Sequence, residues 1–121
     1  MAEHNETGKI GEKLAQDYLL NHGYKVLHTN WRVGRYEVDI IAQKNDILAF
    51  CEVKCRTSSL FGEPETFVTK KKQNNIIKSA AIYVKRNAWQ GETRFDIVSV
   101  LKKGETITIT HIENAYGCTW R

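Results

Sequence analysis

Glu52 and Lys54 stand two residues apart in the stretch Ile40–Arg56, IIAQKNDILAFCEVKCR, which is otherwise apolar enough for the middle of a sheet. Unpaired charges are costly there. A tight turn at Asn45 and Asp46 would give them company. Strands YEVDIIA and ILAFCEVKC, paired about a turn centred between Asn45 and Asp46, place Asp39 opposite Glu52 and Glu37 opposite Lys54. Glu37, Asp39, Glu52 and Lys54 then share one face, and Val38, Ile40, Cys51, Val53 and Cys55 take the other. A three-residue loop would part them unless a bulge restored the register. Opposed Asp and Glu repel when both are ionised, so a cation or a shared proton must compensate. A divalent ion on one or two carboxylates, completed by waters, is what Mg²⁺ takes at phosphate-handling sites. Lys54 beside it could hold a phosphate oxygen or position an attacking water. The plain alternative is a solvated hairpin face with a Glu37–Lys54 ion pair, against which Ile41, Ala42 and Phe50 make these strands very apolar.

The flanking elements must bring this hairpin into a core. From about Thr7 to His22, Ile10, Leu14, Ala15, Tyr18 and Leu19 recur at helical spacing, and Gly23 is the stop. YKVLHTNW reads as a strand before the hairpin. TSSLFGEPE has loop composition, and Ile76, Ile77, Ala80, Ala81 and Val84 mark a second amphipathic helix starting near Thr69. TRFDIVSVL and ETITITHIE end the chain as strands, turning at Lys103 and Gly104. The order αβββαββ predicts a layered α/β domain with a mixed sheet, since the helix after the third strand can return the chain in parallel. The 121 residues, without repeat or linker and with Pro64 as sole proline, are expected to form one domain, 1–121.

Eighteen Lys and Arg against fourteen Asp and Glu give a formal charge of +4, which favours a polyanionic partner without naming one. Three cysteines, Cys51, Cys55 and Cys118, argue against a disulfide framework, the first two pointing the same way on one strand. No CxxC or HxxxH spacing supports zinc. The polar start MAEHNETGKIGEK and the lack of a long apolar run predict a cytoplasmic protein without membrane attachment.

Asp39 followed by Glu52-Val53-Lys54 resembles the D…(D/E)xK signature of the restriction-endonuclease-like nuclease superfamily. Taken in order, GKIGEKLAQDYLLNHGYKVLHTNWR, EVDIIA, FCEVKCR, FGEPETFVTKKKQ, AAIYV, RFDIVSV and HIENAY resemble the YraN-like family of endonucleases over nearly the whole chain. The resemblance implies a restriction-endonuclease-like core in αβββαβ order. It also implies Mg²⁺ (or Mn²⁺) on Asp39 and Glu52, with Val53 in the metal set and Lys54 as catalytic lysine. Resolvase-like branches add a glutamate on the first helix and a polar residue on the second, positions that Glu12 and Gln73 match. Val38 stands where the superfamily expects proline, and Tyr36 where relatives carry glycine.

Glu12 lies at the border of the apolar stripe of its helix, facing either the sheet end or solvent, where the helix dipole favours it. Gln73 precedes Ile76 and Ile77 on the buried side of its helix, where an amide needs partners; orienting a water or phosphate is its expected role. Lys70, Lys71 and Lys72 put positive charge where the macrodipole disfavours it. With Arg32, Arg35 and Arg56 they are candidates for a phosphate-tracking rim, the alternative being a solvated face. Core or rim packing is the better expectation for Trp31, Trp89 and Trp120 than base stacking. Asp96 reads as a structural partner of Arg94 or of neighbouring backbone. The combined expectation is a small metal-dependent endonuclease on structured or branched nucleic acid, DNA rather than RNA, with a homodimer as a candidate assembly. The rival is a noncatalytic nucleic-acid-binding module on the same fold.

Overall fold

The computed structural model describes residues 2–57 and 68–117, with side chains from Gly8 onward. Its elements run α1 (Ala2–Asn21), β1 (Lys25–Val33), β2 (Tyr36–Lys44), β3 (Ile47–Arg56), α2 (Lys70–Arg86), β4 (Glu92–Lys103) and β5 (Thr106–Tyr116). The order is the expected αβββαββ. The sheet follows it, β1-β2-β3-β4-β5, with β3 and β4 parallel and the other neighbours antiparallel. A parallel pair needs a crossover long enough to return the chain, and α2 supplies it. This is a restriction-endonuclease-like α/β core.

One helix covers each face. Ala15 and Leu19, one turn apart on α1, pack on Ile40, Ala42, Ala49, Cys51 and Val98. Ile76, Ala80 and Tyr83 of α2 pack on Ile41, Leu48, Phe50 and Phe95. Leu19, Ile40, Ile41, Leu48 and Phe50 are fully buried, each worth about 1.5–3 kcal/mol of transfer free energy. α1 begins at Ala2, five residues before the expected start, and ends where Gly23 adopts φ +89°. α2 starts as expected: Thr69 Oγ1 accepts the Lys72 N–H at 3.1 Å, an N-cap satisfying one orphan donor of the first turn. Trp31 packs edge-on against Tyr83, and Trp89 donates Nε1–H to the Glu92 carbonyl at 3.0 Å, so both serve the fold as expected. Trp120, Cys118 and most of TSSLFGEPE lie outside the described residues.

α1 approaches β3 so closely at Gly11 that a built Cβ would overlap Cys55 Sγ. Gly11→Ala is expected to cost about 1–3 kcal/mol by overpacking. Urea denaturation should show this loss, and Cys55→Ala in the same chain should recover most of it.

The β2–β3 turn has the expected two-residue length. Lys44 pairs with Ile47, Asn45 takes the left-handed φ of 56° that such turns demand, and the register continues to Ile40–Cys51. Beyond that point the sheet departs from strict alternation. Val38 packs in the α2-side cluster, whereas Ile40 packs on the α1 side, so the two do not share a face as the alternation required. The β4–β5 turn is displaced by one residue, to Gly104 and Glu105, as the Lys103–Thr106 pairing fixes.

β4 and β5 are tied by a buried polar cluster. Asp96, with no exposed surface, accepts from Arg94 Nε at 2.9 Å and Nη2 at 2.8 Å, and from the Asn114 main chain at 3.0 Å. His111 Nε2 lies 2.7 Å from its second oxygen, and since an ionised carboxylate only accepts, the imidazole donates. Arg94 also reaches the Tyr24 hydroxyl and Glu113. The expected structural role of Asp96 is met; His111 joins across the hairpin.

Candidate functional site

The β2–β3 ladder stops at Ile40–Cys51 because the Asp39 side chain takes over. Its Oδ2 accepts the Val53 N–H at 2.9 Å, doing with a carboxylate what a strand carbonyl does elsewhere. That bond holds Asp39 beside β3. On β3 alternation persists: Cys51 and Val53 pack on the α1 side, while Glu52 projects with Leu48 and Phe50 toward α2.

Glu52 is nearly buried, its side chain 8% exposed. Its Oε2 lies 3.7 Å from Lys72 Nζ, and its Oε1 is buried without a hydrogen-bond partner among the described residues. Desolvation, and then the charge of Asp39, push the Glu52 carboxyl up to about 7, with Lys72 and Lys54 acting in the opposite sense. Asp39 is also raised, by burial, against the opposing Val53 N–H and the Lys72 charge. Burial and the Asp39 charge both favour a proton on Glu52, one of the two compensations that neighbouring carboxylates require.

Of the four charges expected together, those of Asp39 and Lys54 act on Glu52, and that of Glu37 acts on Asp39. Glu37 does not pair with Lys54: it lies opposite Arg32 on β1 and meets the Arg32 Nε at 3.6 Å. The cause is the same interruption at Asp39, beyond which β2 follows β1 and leaves the β3 ladder. Glu12 comes in from α1. Its Oε1 accepts from Asn30 Nδ2 at 3.1 Å, and burial followed by the charges of Asp39 and Glu37 raises its carboxyl above the usual range. Gln73 commits its amide N–H to the Val68 carbonyl at 3.0 Å, which fastens the chain entering α2. That bond uses one of its two amide N–H donors, so Gln73 serves helix entry and keeps a second N–H and its carbonyl oxygen.

The lysine run splits. Lys70 and Lys71 are exposed, whereas Lys72 turns inward to Glu52. Arg56 lines a shallow apolar pocket of about 140 Å³ with Ile10, Leu14, Val100 and Ile107 on the α1 side. Lys72, expected with Lys70 and Lys71 at a phosphate-tracking rim, faces Glu52, and its misfit with the α2 dipole is the signal for that in the sequence. One group escapes the sequence reading. Tyr116, whose buried hydroxyl is also without a partner among the described residues, is raised by burial and then by the Glu52 charge; nothing in its strand pattern marked it.

Among the described residues, no three His, Cys, Asp or Glu side chains are gathered into a ready-made metal cage. A hard cation here would draw on two carboxylates, on Val53 through its main-chain carbonyl, and on water, the partial protein set that Mg²⁺ accepts. The bare Glu52 Oε1 fits that requirement.

Fold and site together place the chain in a class: restriction-endonuclease-like α/β cores with an acidic pair and a lysine across the second and third strands. Within it, the family model described as "Uncharacterised protein family UPF0102" matches residues 11–100, and the chain belongs to this family, the YraN family. It is 45% identical to UPF0102 protein FP2501 of Flavobacterium psychrophilum, over 96% of this chain and 98% of that one. It is 43% identical to a UPF0102 protein of Phocaeicola vulgatus and 45% to one of Parabacteroides distasonis, each over 96% of both chains. No described helix is long and apolar enough to cross a membrane.

Proposed function

We propose that this protein is a metal-dependent nuclease that hydrolyses phosphodiester bonds of nucleic acid, DNA rather than RNA, at branched, flapped or single-stranded features. One observation carries the reading. A nearly buried carboxylate, Glu52, keeps an oxygen without a partner among the described residues and shares its site with a second raised carboxyl, Asp39. A fold gains nothing from such a pair, since an apolar face would serve the core better.

Asp39, Glu52 and the Val53 carbonyl are the groups that would hold Mg²⁺ or Mn²⁺. When bound, the ion supplies Lewis-acid stabilisation of phosphoryl oxygens and a more acidic water. Lys54, whose charge acts on Glu52, is placed to hold a phosphate oxygen or orient the attacking water. The N–H of Val53 fixes the Asp39 carboxylate, so the acidic pair is preorganised before substrate arrives. Glu12, held by Asn30, supplies a third negative group at the sheet end. Since no insert for reading bases is present among the described residues, recognition of nucleic-acid shape is favoured. A homodimer would let two such sites act on two strands.

The test is a cleavage panel of linear, flapped, four-way and single-stranded DNA, with RNA counterparts, with and without Mn²⁺. Cleavage of one structured substrate, lost in Glu52→Ala and Lys54→Ala, is the expected result. Tight, metal-independent binding with no cleavage of any substrate would instead identify a noncatalytic nucleic-acid-binding module.

A further inference from the structure

Lys72 is the one basic residue of its run that turns from solvent toward the carboxylates. It sits in the first turn of α2, where the dipole opposes positive charge, and its own N–H is pinned by the Thr69 cap at 3.1 Å. The Nζ lies 3.7 Å from Glu52 Oε2, and its charge also acts on Asp39. The side chain remains 43% exposed, so it can swing outward while Glu52 cannot. Without an ion, the charge of Lys72 acts on both carboxyls and that of Lys54 on Glu52. A divalent cation on the bare side of Glu52 would add positive charge to that centre and weaken the hold on Lys72.

We propose that Lys72 is the resident counter-ion of the Asp39–Glu52 pair, which a divalent cation supplants and which then turns to grip a phosphate of the nucleic acid. This rests on the metal-site reading above and adds to it an order of events. Metal and nucleic acid bind cooperatively, because the ion both recharges the centre and frees a phosphate ligand. By linkage, nucleic acid tightens the metal by the same factor. Lys72 is thus a binding residue with two alternative anions, and the remaining lysines of the run, Lys70 and Lys71, already face solvent.

The experiment compares wild type, Lys72→Met and Lys72→Arg by calorimetric titration with Mn²⁺. It then measures binding of a labelled, slowly cleaved phosphorothioate oligonucleotide over a range of salt, with and without Mn²⁺. Removing the competing charge should tighten Mn²⁺ binding by about three- to tenfold in Lys72→Met. The same variant should lose Mn²⁺-dependent oligonucleotide affinity, with a salt slope smaller by about one. Lys72→Arg should stay near wild type in both. Mn²⁺ affinity unchanged or weakened in Lys72→Met overturns the proposal, as does an unaltered salt slope. Absence of Mn²⁺ binding by all three proteins overturns the metal-site reading itself, and this inference with it. Lys72→Met relieves the helix dipole but removes the Glu52 counter-ion, so the titrations are made well below its Tm and the far-ultraviolet spectrum checks the fold.

Discussion

Glu52→Gln is expected to abolish cleavage, by about a thousandfold or more, while making the metal-free protein more stable at pH 8. The two effects have one origin. In the folded chain the Glu52 carboxyl is pushed up to about 7 by desolvation and by Asp39, from an ordinary value of 4.5. A raised carboxyl binds protons better folded than unfolded, so its contribution is fully present below pH 4.5 and is lost as pH rises through 7. The shift corresponds to roughly 3–4 kcal/mol. Glutamine removes the charge but leaves an amide N–H₂ to satisfy, so a net gain of about 1–2 kcal/mol at pH 8 is expected. Urea denaturation in EDTA at pH 4, 6 and 8 should show the two proteins converging at acid pH and separating through the window 4.5 to 7. Saturating Mn²⁺ should narrow or reverse the difference, because only wild type gains binding free energy from the ion. The loss of cleavage is of the size seen when a group stabilising developing charge is removed. If Glu52→Gln is less stable at pH 8, the carboxylate is already satisfied and the face is structural.

Much of this site was legible because hairpin parity is a strong constraint. Asn45 and Asp46 fixed a two-residue turn, and the pairing from Lys44–Ile47 to Ile40–Cys51 followed. The failure begins one residue further on. Alternation treats every side chain as a passenger, but the Asp39 carboxylate replaces a backbone acceptor by taking the Val53 N–H. Asp39 consequently stays with Glu52, while Glu37 departs to Arg32 and Val38 to the α2 side. Lys72 was beyond local patterns for a different reason: helical spacing identifies the face that Ile76, Ala80 and Tyr83 bury, but not what lies beneath the first turn. Gln73 was correctly placed toward the buried side, yet its nearest need was the Val68 carbonyl. The Arg94–Asp96 pairing was readable from their common face. His111 needed the β4–β5 register, and the one-residue error in that turn hid it.

Asp96→Asn is expected to have the opposite thermodynamic character from Glu52→Gln, with a large loss of stability. Asp96 is as buried as a core leucine, but every side of it is answered: Arg94 by two nitrogens, His111 Nε2 at 2.7 Å, and the Asn114 N–H at 3.0 Å. Asn114 reaches it through a left-handed φ of 55°, at a register shift between β4 and β5 that turns its N–H inward. Burial alone would raise the carboxyl, but the His111 and Arg94 bonds and the Asn114 N–H outweigh it and hold it below the ordinary aspartate value. Asparagine keeps one acceptor, loses the charge and leaves the part-buried Arg94 with less compensation, at a cost of about 3–5 kcal/mol. A fall in Tm of roughly 10–20 °C follows for a chain of this size. A depressed carboxyl contributes stability above its unfolded pKa and loses it as pH falls through the folded value, so the gap to wild type should shrink in acid. Glu52 behaves in the reverse sense. The two residues lie on neighbouring strands, Cys51 pairing with Asp96 and Glu52 with Ile97, so burial is common to both and only the number of donors differs. Mn²⁺ affinity of Asp96→Asn, measured well below its Tm, should match wild type; a loss there would place Asp96 in the binding site and remove the distinction between a carboxylate kept for folding and one kept open for a ligand.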